Sequence, residues 1–561
     1  MASLARRTDM SPEPRRAPAA EPPPIDWLDD AAVGRVRTAL AGRDSYQDQG
    51  GPIELVQTHI SSVFLTPRYV FKFKRPLDVG FADFRTVAQR ERFCRAELEL
   101  NRRLAKGVYL DVLPLHAAGE GFRLGGSGEV ADWCVVMTRL PAADMLDHRL
   151  SHGRVSLAQL DALAELLVAF HRNAVGGPGL ARFGGLDVVR GNWDENFAQT
   201  EAFVGQTLSR EDFDAIRAAV GDWLARHAAL LEARAAGGFV RDGHGDLRCE
   251  HVYLGLGEAI KVIDCVEFND RFRYGDVAND LAFLLMDLTN LGQPRLARRL
   301  LERYVALSGD AGLPRLVAFY ACYRAYVRGK VTAFKLNDRT LAGRQREAVR
   351  KRAAGYFRLA RNFTRQMAPP VLVLVAGLMG TGKTALAEAL AAEAGLVAHN
   401  SDAVRKALAA AESASGAAAP WGGGIYTPAW NARTYDALFA RAEAALRAGR
   451  SVILDASFSR RADRQCAREL ATRLDAQLVL VECKLDEART RKRLRQRTRE
   501  GRSVSDGREA LYERQRAAFE PVEELPAEAH HVVVTEGPPR ALATELLPRL
   551  ALPPPLFGVR D

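Results

Sequence analysis

One glycine-rich segment, 377–384, constrains this chain more than any other feature of its sequence. It reads GLMGTGKT and fits the pattern GxxxxGK[ST], with the apolar run VLVLVA before it and a helical pattern after it. Glycines let backbone N–H groups curl around phosphate oxygens, while the lysine and the last hydroxyl reach the terminal phosphates and Mg²⁺. The sequence therefore predicts a nucleotide-phosphate site. Its residues are Gly377, Gly380, Thr381, Gly382, Lys383 and Thr384, the last also as a metal ligand.

Strand and helix patterns alternate from this segment to about residue 484. After VLVLVA come LVAHN, SVILDAS and AQLVLVECK, each separated by a helical stretch. Continuous apolar runs between helices indicate a doubly wound parallel sheet. Small residues dominate 409–424, which we expect to form a loop. We therefore predict an α/β phosphate-binding domain over 369–552, followed by a short tail at 553–561.

Polar residues follow two of these predicted strands. Asp402 could accept a proton from an acceptor hydroxyl and Arg405 could bind an anionic group of the acceptor. Alternatively, Ser401 or Asp402 caps a helix, and the two roles are compatible. Asp455 ends the run SVILD, where a carboxylate at the carboxyl edge of the sheet can bind Mg²⁺; the alternative is a turn residue at the strand end.

An arginine-rich stretch, RTRKRLRQRTREGR, occupies 489–502. Arg493 and Arg497 are four residues apart, so they share a helix face. In phosphoryl transfer such arginines neutralise charge in the transition state, although a solvated basic helix is the alternative. Together with the phosphate loop, these features resemble the P-loop small kinases related to gluconate kinase, zeta toxin and polynucleotide kinase. The resemblance covers most of 371–520 and implies a kinase, without identifying its acceptor.

A second phosphate-transfer pattern lies at 243–254, GHGDLRCEHVYL, with VIDCVEF downstream. Asp246 would orient or deprotonate an acceptor hydroxyl, and Asp264 would hold Mg²⁺ on the ATP phosphates. The pattern resembles the aminoglycoside phosphotransferase and choline kinase-like branch of protein-kinase-like enzymes. That resemblance implies a two-lobed α+β domain over 26–368. The order of the two halves is similar to that of bifunctional bacterial proteins that fuse such a domain to a P-loop kinase-like domain.

The same resemblance assigns roles upstream of the loop. Lys72 and Lys74 lie two residues apart on YVFKFK and so share one face of a strand. We favour Lys72 as the partner of the ATP phosphates, with Glu97 in the next helix to orient it. The alternative is a surface lysine and a surface glutamate. Ser61 and Ser62 stand where the turn that covers the nucleotide is expected.

His251 departs from the pattern of that branch, which usually has a metal-binding asparagine at this position. We count His251 with the metal site because of its place in the motif, although imidazole is a poor ligand for Mg²⁺. Three alternatives follow: His251 hydrogen-bonds the loop, Glu267 completes the metal shell, or the domain binds nucleotide but transfers slowly. Asp276 and Asp280 match downstream positions that we expect to hold the loop and a helix together.

Composition sets the remaining expectations. The formal charge of +10 over 561 residues reflects either an arginine bias or a polyanion-binding surface, for which a nucleotide is favoured over a nucleic acid. The seven cysteines form no CxxC pair and no apolar run reaches about 18 residues, so we expect a cytoplasmic protein without a membrane partner. Residues 1–25 read as a disordered Pro/Ala tail.

We therefore predict an ATP- and Mg²⁺-dependent kinase that phosphorylates hydroxyl groups of small molecules at two ATP sites. One alternative keeps a single active kinase domain and makes the other a nucleotide-binding regulatory domain. A further alternative is a nucleic-acid end kinase. The acceptors and the oligomeric state do not follow from the sequence.

Overall fold

The computed structural model describes residues 24–27, 29–41, 51–80, 82–255, 259–338, 341–414, 427–500 and 509–558. The chain divides into two compact units, which we call the first and second units. The first unit comprises 1–144 and 255–270, and the second comprises 145–254 and 271–561. Most of the predicted tail at 1–25 lies outside the described residues. Among the described residues, helices that combine the length and the apolar character needed to cross a bilayer are absent.

The described residues form helices and strands with the following bounds. The helices are α1 (Asp30–Ala41), α2 (Val87–Arg102), α3 (Leu146–Ser151), α4 (Leu157–Asn173), α5 (Pro178–Ala181), α6 (Leu186–Thr200), α7 (Arg210–Ala236), α8 (Asp270–Arg273), α9 (Val277–Asn290), α10 (Pro294–Ser308), α11 (Pro314–Phe334), α12 (Gly343–Gln366), α13 (Lys383–Ala394), α14 (Ser401–Ala414), α15 (Pro428–Arg447), α16 (Arg461–Arg473), α17 (Glu487–Glu500), α18 (Glu509–Ala517) and α19 (Pro539–Leu546). The strands are β1 (Glu54–Gln57), β2 (Ser61–Leu65), β3 (Tyr69–Lys74), β4 (Tyr109–Ala118), β5 (Gly121–Leu124), β6 (Val130–Thr138), β7 (Val240–Asp242), β8 (Val252–Tyr253), β9 (Lys261–Val262), β10 (Tyr274–Asp276), β11 (Val371–Ala376), β12 (Val397–Asn400), β13 (Val452–Asp455), β14 (Gln477–Lys484) and β15 (His530–Val534).

The first unit is built on an antiparallel sheet in the order β1-β2-β3-β6-β4-β5. Alternate residues of its strands face opposite sides. One face packs Phe64 and Phe73 against Trp27 and helix α1. The other face packs Val135 against Cys94 of helix α2. Helix α2 thus lies on the face that carries the lysines of β3.

The start of this sheet corrects one expectation. The segment 53–65 forms two strands, because the Thr58 side chain closes a turn: the Ser61 N–H donates to Thr58 Oγ1 at 3.0 Å. Ser61 and Ser62 therefore lie in β2, where both are buried, and not in the turn. Their expected place in the turn that covers a nucleotide is wrong. The turn between β1 and β2 consists of residues 58–60.

The second unit contains helices α3–α7 and α9–α12, followed by a parallel sheet in the order β12-β13-β11-β14-β15. Every residue of the central strand β11 is buried. Leu372 and Leu374 pack against α15 and α16. Val371 and Val373, on the opposite face, pack against α13 and α19. Helices therefore cover both faces, as predicted for a doubly wound sheet.

Two boundaries differ from the sequence interpretation. Helix α14 continues to Ala414, so the first six residues of the expected loop 409–424 are helical, and the rest lie outside the described residues. Alanine favours helix, which explains the extension. Within the predicted tail 553–561, Phe557 is buried and its N–H donates to Gln366 Oε1 at 3.0 Å.

Candidate active sites

Strand β3 and helix α2 bring the predicted lysine and glutamate together. Lys72 Nζ lies 2.8 Å from Glu97 Oε1 and 2.6 Å from Asp264 Oδ1. A capping box of Thr86 and Gln89 starts α2 and so fixes the helix that carries Glu97. Burial alone lowers the pKa of Lys72, but the Asp264 and Glu97 carboxylates raise it well above its ordinary value. Lys72 is therefore a cation held between two carboxylates.

Lys74 occupies a different environment from Lys72, although the two share a strand face. Its side chain is fully buried and pairs with Glu97 and Glu267, whereas 14% of the Lys72 side chain is exposed. This difference supports Lys72 as the lysine for the ATP phosphates. Burial raises the pKa of Glu267 although Lys74 opposes that rise. Because Lys74 already engages Glu267, the structure does not favour Glu267 as a metal ligand.

Asp264 lies two residues beyond β9 in a backbone conformation that few side chains adopt. Its φ is +65°, in the left-handed region, and its N–H donates to Tyr109 Oη at 3.1 Å. Such a conformation persists where surrounding contacts enforce it, and it often marks a functional residue. The carboxylate remains 42% exposed, so it is accessible to a ligand. The role of Tyr109 was not predicted, because nothing in its local pattern distinguishes it from a core residue.

In the second unit, the loop GHGD is held by Asp280 from helix α9. Its carboxylate accepts hydrogen bonds from the N–H groups of His244 at 2.7 Å and Gly245 at 2.9 Å. A Cβ at Gly243 would lie 2.8 Å from Asp280 Oδ2, so this close approach requires glycine. Asp276 caps α9 by accepting from the Ala278 N–H at 2.8 Å. Both aspartates thus have the structural roles expected of them.

Asp246 projects from this loop beside a cationic partner. Arg248 donates Nε to Asp246 Oδ1 at 3.0 Å and Nη2 to Oδ2 at 2.8 Å. Burial by itself raises the pKa of the Asp246 carboxyl, but the Arg248 guanidinium outweighs it and lowers the pKa to about 2. A carboxylate this acidic orients a hydroxyl well and is a weak base. Arg248 lies within the motif, but the sequence did not predict its ion pair with Asp246.

His251 contacts the same loop through both ring nitrogens. Its Nδ1 lies 2.8 Å from the backbone oxygen of Asp246, and its Nε2 lies 3.2 Å from Arg248 Nη2. This arrangement fits a neutral imidazole that donates from Nδ1 and accepts at Nε2. It supports the alternative in which His251 hydrogen-bonds the loop. A role for His251 as a metal ligand stays a prediction.

The phosphate loop of the second unit depends on its glycines. Gly377, Gly380 and Gly382 have φ values of +133°, +79° and +89°. A Cβ at Gly377 would lie 2.5 Å from the carbonyl oxygen of Cys483. Both the positive φ and this close contact therefore require glycine at position 377. Lys383 begins α13, and its Nζ donates to the carbonyl of Leu378 at 2.8 Å, across the loop.

The side chain of Asn400, the last residue of β12, contacts both Thr384 and Asp455. Asn400 Nδ2 lies 2.6 Å from Asp455 Oδ2 and 3.3 Å from Thr384 Oγ1. Strand β13 ends at Asp455 beside β11, which leads into the phosphate loop. A hydroxyl and a carboxylate oxygen that converge beside a phosphate loop fit the hard-ligand preference of Mg²⁺. Asn400 was missed, although an asparagine before a helix is a capping signal.

Asp402 and Arg405 are ion-paired with each other. Arg405 Nη1 lies 2.8 Å from Asp402 Oδ1, and Nη2 donates to Asn431 Oδ1 at 2.8 Å. The cap of α14 is neither Ser401 nor Asp402, because Asn400 Oδ1 accepts the Asp402 N–H at 3.0 Å. The Asp402 carboxylate therefore does not cap α14 but pairs with Arg405.

Helix α17 supplies an arginine above the phosphate loop. Arg493 Nη2 donates to the carbonyl of Thr535 at 2.9 Å, and Nη1 lies 3.3 Å from where a Cβ of Gly382 would stand. Arg497 belongs to the same helix, and its side chain lies outside the described residues. Thr535 also donates to the carbonyl of Thr381 and so supports the loop. No local sequence signal predicts that contact.

Two family models match this chain in the predicted order. A model described as the phosphotransferase enzyme family matches residues 61–319, and one described as an AAA domain matches residues 372–522. These matches confirm an α+β, protein-kinase-like phosphotransferase domain followed by an α/β P-loop domain.

The chain also resembles curated proteins and solved structures. Uncharacterized protein Rv2004c of Mycobacterium tuberculosis (strain ATCC 25618 / H37Rv) is 33% identical over 431 residues, which cover 77% of this chain and 83% of that protein. A choline/ethanolamine kinase family protein from Mesorhizobium loti is 16% identical with a TM-score of 0.37, covering 59% of this chain and 99% of that chain. A sugar kinase from Janibacter sp. HTCC2649 is 23% identical with a TM-score of 0.25, covering 34% and 98%.

Proposed function

This chain, a small-molecule kinase, belongs to the same family as the mycobacterial protein Rv2004c, and we propose that it transfers phosphate from ATP to hydroxyl groups at two separate sites. One observation carries the two-site proposal. The Lys72–Glu97 ion pair and the Thr384–Asn400–Asp455 cluster are independent arrangements for handling phosphate, and each belongs to a different matched family. We place the domain boundary near residue 368 and the protein in the cytoplasm, where its seven free cysteines would stay reduced.

At the phosphotransferase site, we assign Lys72 to the ATP phosphates and Glu97 to the orientation of Lys72. Asp264 offers an exposed carboxylate oxygen to Mg²⁺. Asp246 orients the acceptor hydroxyl, because its low pKa keeps it ionised at neutral pH and able to accept a hydrogen bond. In this assignment, Lys72 and Mg²⁺ neutralise charge on the ATP phosphates, and Asp246 aligns the acceptor hydroxyl. Phosphoryl transfer requires both of these from a protein.

At the P-loop site, the turns at Gly377, Gly380 and Gly382 present backbone N–H groups to phosphate oxygens. Lys383 would exchange its contact with the Leu378 carbonyl for the terminal phosphates. Mg²⁺ supplies charge neutralisation on those phosphates, and Thr384 and Asp455 would hold it. Thr381, whose hydroxyl donates to the carbonyl of Leu378 at 2.7 Å, keeps the loop in shape.

On the acceptor side of the P-loop site, we assign three residues. Asp402 accepts a hydrogen bond from the acceptor hydroxyl, and Arg405 binds a polar or anionic group beside it. Arg493 neutralises charge on the transferred phosphoryl group, since it lies over Gly382. We include Arg497 by its position one turn further along α17.

The number of nucleotide sites tests the two-site proposal. Isothermal titration of the full-length protein with a non-hydrolysable ATP analogue and Mg²⁺ should give two sites per chain. Lys383→Ala and Lys72→Met should each leave one, with the remaining affinity unchanged. A single site in the wild type, lost in one of these variants and kept in the other, would reject the two-site proposal.

A further inference from the structure

Helix α11 presents two arginines to the side of the loop that carries Asp246. Arg324 Nη1 donates to the carbonyl of Gly245 at 3.0 Å, and its Nε donates to Asn279 Oδ1 at 2.8 Å. Arg328 follows four residues later and so lies on the same helix face, about 5.4 Å further along the axis. The positive charge of Arg328 contributes to the low pKa of Asp246, so the two side chains are within electrostatic reach.

Among the arginines that the structure describes around Asp246, Arg324 and Arg328 have no carboxylate partner, and Arg324 instead donates to the Gly245 carbonyl and to Asn279. Arg248 is neutralised by Asp246 and Glu250. Among the residues that the structure describes, no carboxylate forms an ion pair with Arg328, and its buried Nε has no hydrogen-bond partner. Its guanidinium carbon lies 5.7 Å from the centroid of the Tyr356 ring, which holds the side chain by a cation–π contact.

An arginine in such a position is costly unless an anion joins it. A partly buried guanidinium loses hydration, and a ring face replaces only part of that loss. The environment of Asp246 is therefore suited to an acceptor that brings its own negative charge.

We propose that the hydroxyl acceptor of the phosphotransferase domain carries a carboxylate or a phosphate monoester, which Arg328 binds while Asp246 orients the hydroxyl. This inference rests on the phosphotransferase function proposed for that domain. The acceptor oxygen forms a bond to the γ-phosphorus, the bond from that phosphorus to the bridging oxygen breaks to release ADP, and the hydroxyl proton passes to solvent. An acceptor of this kind is a small polyol acid or a sugar phosphate.

The test uses the full-length Lys383→Ala protein, in which the P-loop site is disabled. Transfer from γ-labelled ATP is measured to a panel of small polyols in four charge classes: sugar acids, sugar phosphates, neutral sugars and amino sugars. We expect at least one anionic class to be phosphorylated with a kcat/KM about tenfold or more above the neutral and cationic classes. The two anionic classes distinguish a carboxylate from a phosphate acceptor.

Arg328→Gln, made in the same background, tests the assigned residue. It should raise KM for the anionic acceptor about 10- to 100-fold, because a charge-assisted hydrogen bond is lost, with little change in kcat. Arg328→Lys should recover part of that loss. Arg298→Gln serves as the matched control, since Arg298 pairs with Glu302 on the surface of α10, and it should change nothing.

The proposal is wrong if neutral or cationic polyols are the better acceptors, if no anionic polyol is phosphorylated, or if Arg328→Gln leaves KM for the anion unchanged. Failure of the underlying function is separate: it would appear as ATP turnover in the Lys383→Ala background that Asp246→Asn does not reduce. Thermal unfolding of the Arg328 variants excludes loss of folding as the cause of a raised KM.

Discussion

Lys72 and Lys74 show how two identical residues on one strand face acquire different environments. The resemblance to the protein-kinase-like branch predicts a contact between Lys72 and Glu97, and the structure contains it. The sequence pattern does not predict that Lys74 forms a buried ion pair with Glu267, because that carboxylate lies 193 residues further along the chain. Contacts at such separations depend on tertiary packing, which no local pattern encodes.

The two lysines should therefore differ in what their removal costs. Lys74→Met leaves Glu267 buried without a cation and should lower the free energy of unfolding by about 3–5 kcal/mol. Lys72→Met should lower the free energy of unfolding by less. Glu97 would still pair with Lys74, and the Asp264 carboxylate is partly exposed to water. Urea denaturation of both variants measures the difference. Equal losses of stability would contradict the assignment of Lys74 as the structural lysine.

The low pKa of Asp246 has a consequence for activity. A carboxyl with a pKa of about 2 stays ionised down to pH 3, so the phosphotransferase site should show no acid limb near pH 4 that stems from Asp246. Arg248→Gln removes the main charge that lowers the pKa of Asp246. The acid limb of the pH–rate profile should therefore move upward by about 1–3 pH units. The pH–rate profile of the Lys383→Ala protein, with and without Arg248→Gln, measures the shift. An unchanged profile would show that Arg248 does not set the pKa of Asp246.

At the scale of elements, Asn400 links a helix cap to the side chains of Thr384 and Asp455. Its Oδ1 caps α14, and its Nδ2 contacts both Asp455 and Thr384. The sequence located the strands, helices and motif residues around it, because apolar runs and glycine patterns are local. It missed this bridge, because the contact between Asn400 and Asp455 joins residues 55 positions apart.

Replacement of Asn400 should separate capping from nucleotide binding. Asn400→Ala should cost about 1 kcal/mol of stability and also weaken binding of an ATP analogue with Mg²⁺ at the P-loop site. Ser156→Ala is the matched control, because Ser156 caps α4 through the Gln159 N–H and lies outside the P-loop domain. It should cost similar stability and leave binding intact. Equal effects of both variants on binding would show that Asn400 acts only as a cap.

At the scale of the whole molecule, the second unit contains a polar contact between a phosphotransferase-domain helix and the P-loop domain. Arg226, on α7, lies 3.0 Å from Asp475 Oδ2 and donates to the Met367 carbonyl at 3.2 Å. His227, beside it, stacks on Trp223 with ring centroids 4.3 Å apart. Burial, helped by Arg226, lowers the pKa of His227 to about 4. The histidine is therefore neutral in the folded protein at physiological pH.

This histidine should make the protein less stable in mild acid. Because the pKa of His227 is lower when folded than the unfolded value of about 6.5, the unfolded chain binds the extra proton first, and stability falls as the pH drops from 6.5 towards 4. The loss from this group should be on the order of 2 kcal/mol between pH 7 and pH 5. His227→Gln should flatten that dependence in urea titrations at the two pH values. A slope identical to that of the wild type would refute this source of acid sensitivity.

The central claim is that one chain holds two independent phosphotransfer sites, and ATP turnover in four proteins tests it most directly. With suitable hydroxyl acceptors present, the wild type, Asp246→Asn, Lys383→Ala and the double variant are compared under the same conditions. We predict that each single variant loses its own share of turnover by a factor of about 100 or more while the other share persists, and that the double variant loses both. If one single variant abolishes all turnover, or if the double variant keeps the wild-type rate, the claim of two independent sites is wrong.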